Sequence, residues 1–145
     1  MTPEAIIDAL AMAPHPEGGW YAEHWRDGPG QADGTGPRGA VSSIYYLLEQ
    51  GQSSHWHRID AVEIWHYHAG TPLHLGLSDA GETARWERLG TDVVQGERPQ
   101  VVIPPHVWQS AVARDGWALV GCTVAPAFVF TGFEMASENW APGQS

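Results

Sequence analysis

Lysine is absent from this chain: the seven basic side chains are all arginine. That removes Schiff-base catalysis and a lysine general base from consideration. Cysteine occurs once, at Cys122. An internal disulfide is therefore excluded, and the apolar run at residues 118–124 suits a buried, inert thiol. No apolar run is long enough to cross a bilayer as a helix. Residues 1–4 lack the basic segment followed by an apolar one that marks a signal peptide, so the expectation is a cytoplasmic protein. Positive charge is scarce overall. A formal net charge of −10 argues against nucleic acid and anionic membrane as partners.

What is present is enough chain for one domain, expected over residues 1–145. Roughly two-thirds of the unfolded surface can be buried at this size, which allows a core and an enclosed pocket. Eight tryptophans favour stacking walls in a pocket or an oligomer interface.

Thr2-Pro3-Glu4 has the composition of a helix start, with Ile6, Ile7 and Leu10 as its apolar stripe, ended by Pro14 and Pro16. Residues 27–39, rich in Gly, Pro and Asp, read as a mobile loop. Beyond them the pattern is that of strands. Residues 41–48 are β-branched and aromatic. Residues 65–69, 73–78 and 83–89 alternate, with a turn at 79–82. Residues 101–103 run into Pro104-Pro105, and residues 117–124 form a near-continuous apolar strand. Many short strands with Gly and Pro punctuation predict an all-β sandwich or barrel.

The richest stretch is Gly51 to Glu63, closing at Gly70. His55 and His57 lie two apart, and alternate side chains of a strand share a face. Glu63 shares its own face with Trp65, Tyr67 and Ala69. A glutamate among such neighbours is costly to bury unless paired. His55, His57 and Glu63 could hold a metal or form a metal-free acid–base site. A second alternating pair, His66 and His68, faces away from Glu63 by the same parity and fits an exposed surface or a dimer contact. Pro104-Pro105 forces a tight turn that brings His106, Trp108 and Gln109 to a pocket mouth. His15-Pro16-Glu17-Gly18-Gly19-Trp20-Tyr21 holds a turn of its own, with His15 and Glu17 equally open to structural and functional roles.

These residues resemble a known pattern. Gly51, His55, His57, Glu63 and Gly70 are similar to the first motif of the cupins. Gly96 with Pro104-Pro105-His106-Val107-Trp108-Gln109 resembles a degenerate second motif. A closer likeness spans most of the chain. His15-Pro16-Glu17-Gly18-Gly19, Ile44-Tyr45-Tyr46-Leu47-Leu48, Glu63-Ile64-Trp65-His66, Val107-Trp108, Leu119-Val120-Gly121-Cys122-Thr123-Val124 and Phe130-Thr131-Gly132-Phe133-Glu134 resemble, in order, the DUF985 (cupin-5) family. The resemblance implies a small double-sheet, jelly-roll-like barrel with the site inside, a homodimer, and a likeness to the sugar epimerases of the superfamily. Two departures stand out. One extra residue separates His57 from Glu63, and Gln109 stands where cupins carry a third histidine, with His106 at the motif glycine.

Three functions follow as expectations. The first is acid–base isomerase, epimerase or lyase chemistry on a small polar, sugar-like substrate. His57 is then the base, Glu63 orients it or acts as partner acid, and Tyr67, Tyr45 or Tyr46 supplies the opposite proton. Arg58 holds an anionic group, while His55, Trp65, Tyr46, His106, Trp108 and Gln109 contact the substrate. The second is a metal-dependent, dioxygenase-like enzyme. His55, His57 and Glu63, with Gln109 as a poor fourth ligand, would bind one divalent transition metal weakly. The third is a non-catalytic metabolite binder.

Overall fold

A computed structural model describes residues 1–143; Gln144 and Ser145 lie outside the described residues. One helix, α1 (Pro3–Leu10), precedes eleven strands: β1 (Ala13–Pro14), β2 (Trp20–Arg26), β3 (Ser42–Leu48), β4 (Ser53–Ile59), β5 (Val62–Gly70), β6 (Leu73–Ser78), β7 (Arg85–Leu89), β8 (Gln100–Ile103), β9 (Trp108–Val112), β10 (Ala118–Ala125) and β11 (Phe133–Met135). They form two antiparallel sheets. The six-stranded sheet runs β1-β2-β3-β10-β5-β8 and the five-stranded sheet runs β11-β4-β9-β6-β7. The fold is thus the double-sheet, all-β arrangement with a short N-terminal helix.

The helix begins where the capping residues place it. The Thr2 hydroxyl accepts the Ala5 N–H at 3.2 Å, and Pro3 occupies the first turn, where its missing N–H costs nothing. Ile6 and Met12 pack with Leu47 on the outer face of the six-stranded sheet. Strand alternation builds the core. Tyr46, Leu48, Trp65 and Val120 face inward from one sheet, and Leu73, Leu75, Leu77 and Ala111 face them from the other.

The tryptophans fall mostly outside this core. Trp56 meets Trp86 and Trp140 edge-on at 5.9 and 6.3 Å, and Trp108 lies 4.8 Å from Trp140. They cover the outer face of the five-stranded sheet. Gly76 is required there, because a Cβ would run into the rings of Trp56 and Trp86. β2 and β11 lack clean alternation and carry no strand signal in the sequence. Residues 27–39 are irregular, as expected, but firmly tied rather than loose. Arg38 bonds the Ala127 carbonyl at 2.8 Å and grips Asp60 through both terminal nitrogens, at 3.0 and 2.7 Å. The Ala32 carbonyl accepts the Phe130 N–H at 2.8 Å.

Candidate active site

Two β-bulges shape the cavity between the sheets. In β4, Ser54 pairs with Ala111 and His57 pairs with Gln109, so three steps on β4 match two on β9. The extra residue puts Ser54 and His57, three apart, on the inner face, and both are buried. His55 is thereby separated from His57. Its Nε2–H donates to the Ser137 carbonyl at 2.8 Å, on the C-terminal segment and away from the cavity wall. In β2 the same device acts at the opposite wall. Glu23 pairs with Ile44 and Arg26 with Ser42, across a register shift, so Glu23 and Arg26 both face the cavity.

His57 is fixed in one tautomer. Its Nδ1 lies 2.7 Å from the His55 carbonyl, which can only accept, so Nδ1 carries the proton. In the neutral ring Nε2 is then a lone pair, and it lies 3.3 Å from Glu17 Oε2. Burial holds His57 below the usual histidine range, opposed by the charge of Glu63.

Glu17 reaches this position through the turn that leads into β2. Gly18 and Gly19 take φ of 110° and 77°, where a side chain is strained. The turn docks against β4, with the His55 N–H donating to the Glu17 carbonyl at 2.9 Å. The Glu17 backbone N–H donates to His15 Nδ1 at 3.1 Å. This makes His15 the Nε2–H tautomer when neutral, with its ring edge-on to Tyr21 and Tyr46 at 4.6 and 5.6 Å. Burial pushes the Glu17 carboxyl up, against the pull of His15. Burial also lowers His15, with Glu17 opposing it. The Ser54 hydroxyl, fully buried beside this group, has no hydrogen-bond partner among the described residues.

Glu63 stands on β5, opposite Val124. Trp65 Nε1–H donates to Gln109 Oε1 at 2.9 Å, and Gln109 Nε2 donates to Glu63 Oε1 at 2.9 Å. Indole can only donate, so it dictates which way the amide points and delivers an N–H to the carboxyl. Burial nevertheless dominates and pushes Glu63 up to about 7; the charge of His57 and the Gln109 bond act against it, and Glu17 adds to it. The Cys122 thiol, raised well above its ordinary range by burial, lines the same wall as an uncharged neighbour. The space enclosed is about 130 Å³, well below the roughly 300–1,000 Å³ of most ligand pockets.

Of the residues singled out from sequence, the structure brings together His57, Glu63 and Gln109. His15 and Glu17, whose motif fits a structural or a functional role equally, are cavity walls. Trp65 and Tyr46 are buried behind the wall, and the Tyr46 hydroxyl donates to the Gly18 carbonyl. Tyr67 spends its hydroxyl on the Gly70 carbonyl at 2.6 Å. Arg58 pairs with Glu134 at 2.6 Å and stacks over Trp108 at 4.5 Å, outside the cavity. His106 occupies a left-handed turn residue, φ 66°, and is exposed. His66 bonds Thr123 at 3.1 Å, facing away from Glu63 as parity requires. Arg26 and Glu23 carried no motif; only a bulge, invisible to alternation, turns them inward.

The resemblance implies a metal shell of histidines and a glutamate, and the residues present do not fit it. His55 is bonded to Ser137, Gln109 is bonded at both ends of its amide, and one imidazole remains at the expected position. Among the described residues no group of three or more His, Cys, Asp or Glu side chains is arranged to hold a metal ion.

The family described as Cupin superfamily (DUF985) matches residues 4–136, and the chain belongs to it. No curated protein matches. Among solved structures, a protein from Shewanella oneidensis is similar at 36% identity and a TM-score of 0.85, over 94% of this chain and 85% of that one. A hypothetical protein from Leishmania major is similar at 32% identity and a TM-score of 0.83, over 94% and 88%. A variant of oxalate decarboxylase from Bacillus subtilis shares the fold alone, at 12% identity and a TM-score of 0.61, over 85% of this chain and 29% of that one.

Proposed function

We propose that this cupin is an enzyme that moves a proton from and to carbon on a small polar molecule, in isomerase, epimerase or lyase chemistry. The observation that carries the reading is the His57 Nε2 lone pair, held in a buried cavity 3.3 Å from Glu17 and within the field of Glu63. A base of this kind needs a fixed tautomer and a partner acid whose pKa sits near the working pH. The His55 carbonyl supplies the first condition, and Glu63, at about 7, supplies the second.

The step balances with these groups alone. His57 Nε2 takes the proton from a carbon next to a carbonyl. The electron pair moves onto the carbonyl oxygen, which takes the proton of Glu63. Glu63 is then a carboxylate beside a new imidazolium, and the two charges stabilise each other where neither is stable alone. Return of the proton by His57 to the neighbouring carbon gives an isomer, and return to the same carbon after the planar intermediate has turned over gives an epimer. In a lyase step the imidazolium protonates a departing β-hydroxyl, which leaves as water, while Glu63 takes back the enol proton. Glu17 Oε2, 3.3 Å from Nε2, can accept the N–H of the imidazolium once His57 has taken the proton.

The test is solvent-deuterium uptake at carbon, followed by NMR over a panel of small hydroxy- and keto-compounds. Uptake that depends on His57 and Glu63 supports the reading. Compounds that bind without uptake would make the protein a non-catalytic binder.

A further inference from the structure

One wall of the cavity is left unused by this chemistry. Arg26 is its only lining lysine or arginine side chain among the described residues. An arginine placed there by an irregular strand has a cost, and the bulge in β2 is what turns it inward with Glu23. Its Nη1 donates to the Phe128 carbonyl at 2.8 Å. Its Nε and Nη2 both reach a single oxygen, Glu23 Oε1, at 3.0 and 2.6 Å. That edge of a guanidinium matches a carboxylate with two oxygens, and Glu23 fills it with one. Glu23 is also the looser partner, with its side chain 37% exposed against 13% for Arg26.

The strand register sets Arg26 in one row with Glu63. Arg26 pairs with Ser42, Ser42 with Val124, and Val124 with Glu63. The four residues form one row across the six-stranded sheet, and Arg26, Ser42, Val124 and Glu63 all line the cavity. Three strand spacings separate the Cα atoms of Arg26 and Glu63, about 14 Å. A volume of about 130 Å³ holds on the order of four waters. The occupant is therefore small, and both Arg26 and His57 line the space it would fill.

We propose that the ligand of this cavity is a small carboxylic acid, whose carboxylate displaces Glu23 from the Nε–Nη2 edge of Arg26. Glu23 is then a resident stand-in that keeps the guanidinium paired in the empty site. This rests on the proton-transfer reading for which carbon reacts, but the binding claim is separable from it.

The test uses the full chain and ligand-observed NMR with calorimetry. The probes are lactate, glycerate, the neutral lactamide, and inorganic phosphate. Lactate or glycerate is expected to bind in the millimolar range or tighter, with lactamide weaker by about tenfold or more. Arg26→Gln should weaken carboxylate binding by a similar factor, and Glu23→Gln should strengthen it several-fold by removing the competing anion. Should Arg26→Gln fail to fold, Glu23→Gln and the probe series still decide. Equal binding of lactate and lactamide overturns the proposal, as does tighter binding of phosphate than of either acid, an unchanged affinity in Glu23→Gln, or no carboxylate binding at all. Carboxylate binding without deuterium uptake would sink the proton-transfer reading and leave this one standing. Uptake on neutral compounds without preference for acids would do the reverse.

Discussion

His57 Nε2 and Glu17 Oε2 lie 3.3 Å apart, although forty residues separate them in the chain and they come from different elements. The contact exists because the turn before β2 hydrogen-bonds to the backbone of β4. Neutral His57 is then expected to carry its proton on Nδ1 at pH 8. Long-range 1H–15N correlation spectra distinguish the two nitrogens directly. A ring protonated on Nε2 would contradict the proposed base. Glu17→Gln should change the His57 titration, whereas His68→Ala, on the outer face, should leave it unaltered.

Glu63 gives a stability signature with a definite sign. Its folded-state pKa, about 7, lies above the ordinary 4.5. The folded state therefore keeps its proton longer than the unfolded chain. This stabilisation is complete below pH 4.5 and is lost as pH rises through about 7. The gap amounts to about 3 kcal/mol. Glu63→Gln lacks it, so the mutant's stability relative to the native protein should rise between those limits and level off above them. Denaturant titrations at pH 5, 6, 7 and 8 check this. A stability difference that is flat with pH would mean that Glu63 is ionised throughout.

Gln109 links Trp65 to Glu63 through both ends of its amide. Gln109→Leu strands a buried indole N–H and removes a donor from a buried carboxyl. We expect a loss of about 2–4 kcal/mol and a further rise in the Glu63 pKa, readable by pH-dependent unfolding. An unchanged stability would mean that the bridge is not formed in solution.

Gln109→His tests the metal question by addition. The native cavity offers one histidine at the expected metal position, so we expect weak, substoichiometric metal binding. A second imidazole beside Glu63 and His57 should raise affinity for nickel or zinc. Elemental analysis and calorimetry measure both proteins. One tightly held metal per native chain after chelator treatment would restore the metal-dependent reading.

A homodimer remains our expectation, and the outer face of the six-stranded sheet is where we place it. Trp25, Ser43, Thr123, Ile64 and Val102 form one row across that face. Trp25 and Val102 stand 58% and 54% exposed, a large apolar exposure for a free surface. Light scattering should return twice the chain mass, and Trp25→Glu should halve it. A single-chain mass for the native protein at micromolar concentration rules the dimer out.

Much of the architecture was legible because it depends on local chemistry. The Thr2 cap, the Leu73-Leu75-Leu77 alternation and the apolar run of β10 each specify one element within a few residues. The opposite facing of Glu63 and His66 followed from strand parity alone, because β5 is regular at that end. The ordered motifs pointed to the DUF985 cupins from the same sequence.

The site was only half legible, and the bulges are the physical reason. Alternation predicts that residues two apart share a face, and it placed His55 with His57. One extra residue in β4 instead puts Ser54 on the inner face with His57 and turns His55 onto Ser137. The same kind of irregularity in β2 brings in Arg26, which no motif marked. Glu17 and His15 are near neither His57 nor Glu63 in sequence, and only the packing of a glycine turn against β4 joins them. Residue types and strand alternation are enough to name the side chains capable of acid–base chemistry and to put them in a double-sheet barrel. Which of them share one desolvated space depends on bulges and turn packing, and desolvation is what moves Glu63 to about 7.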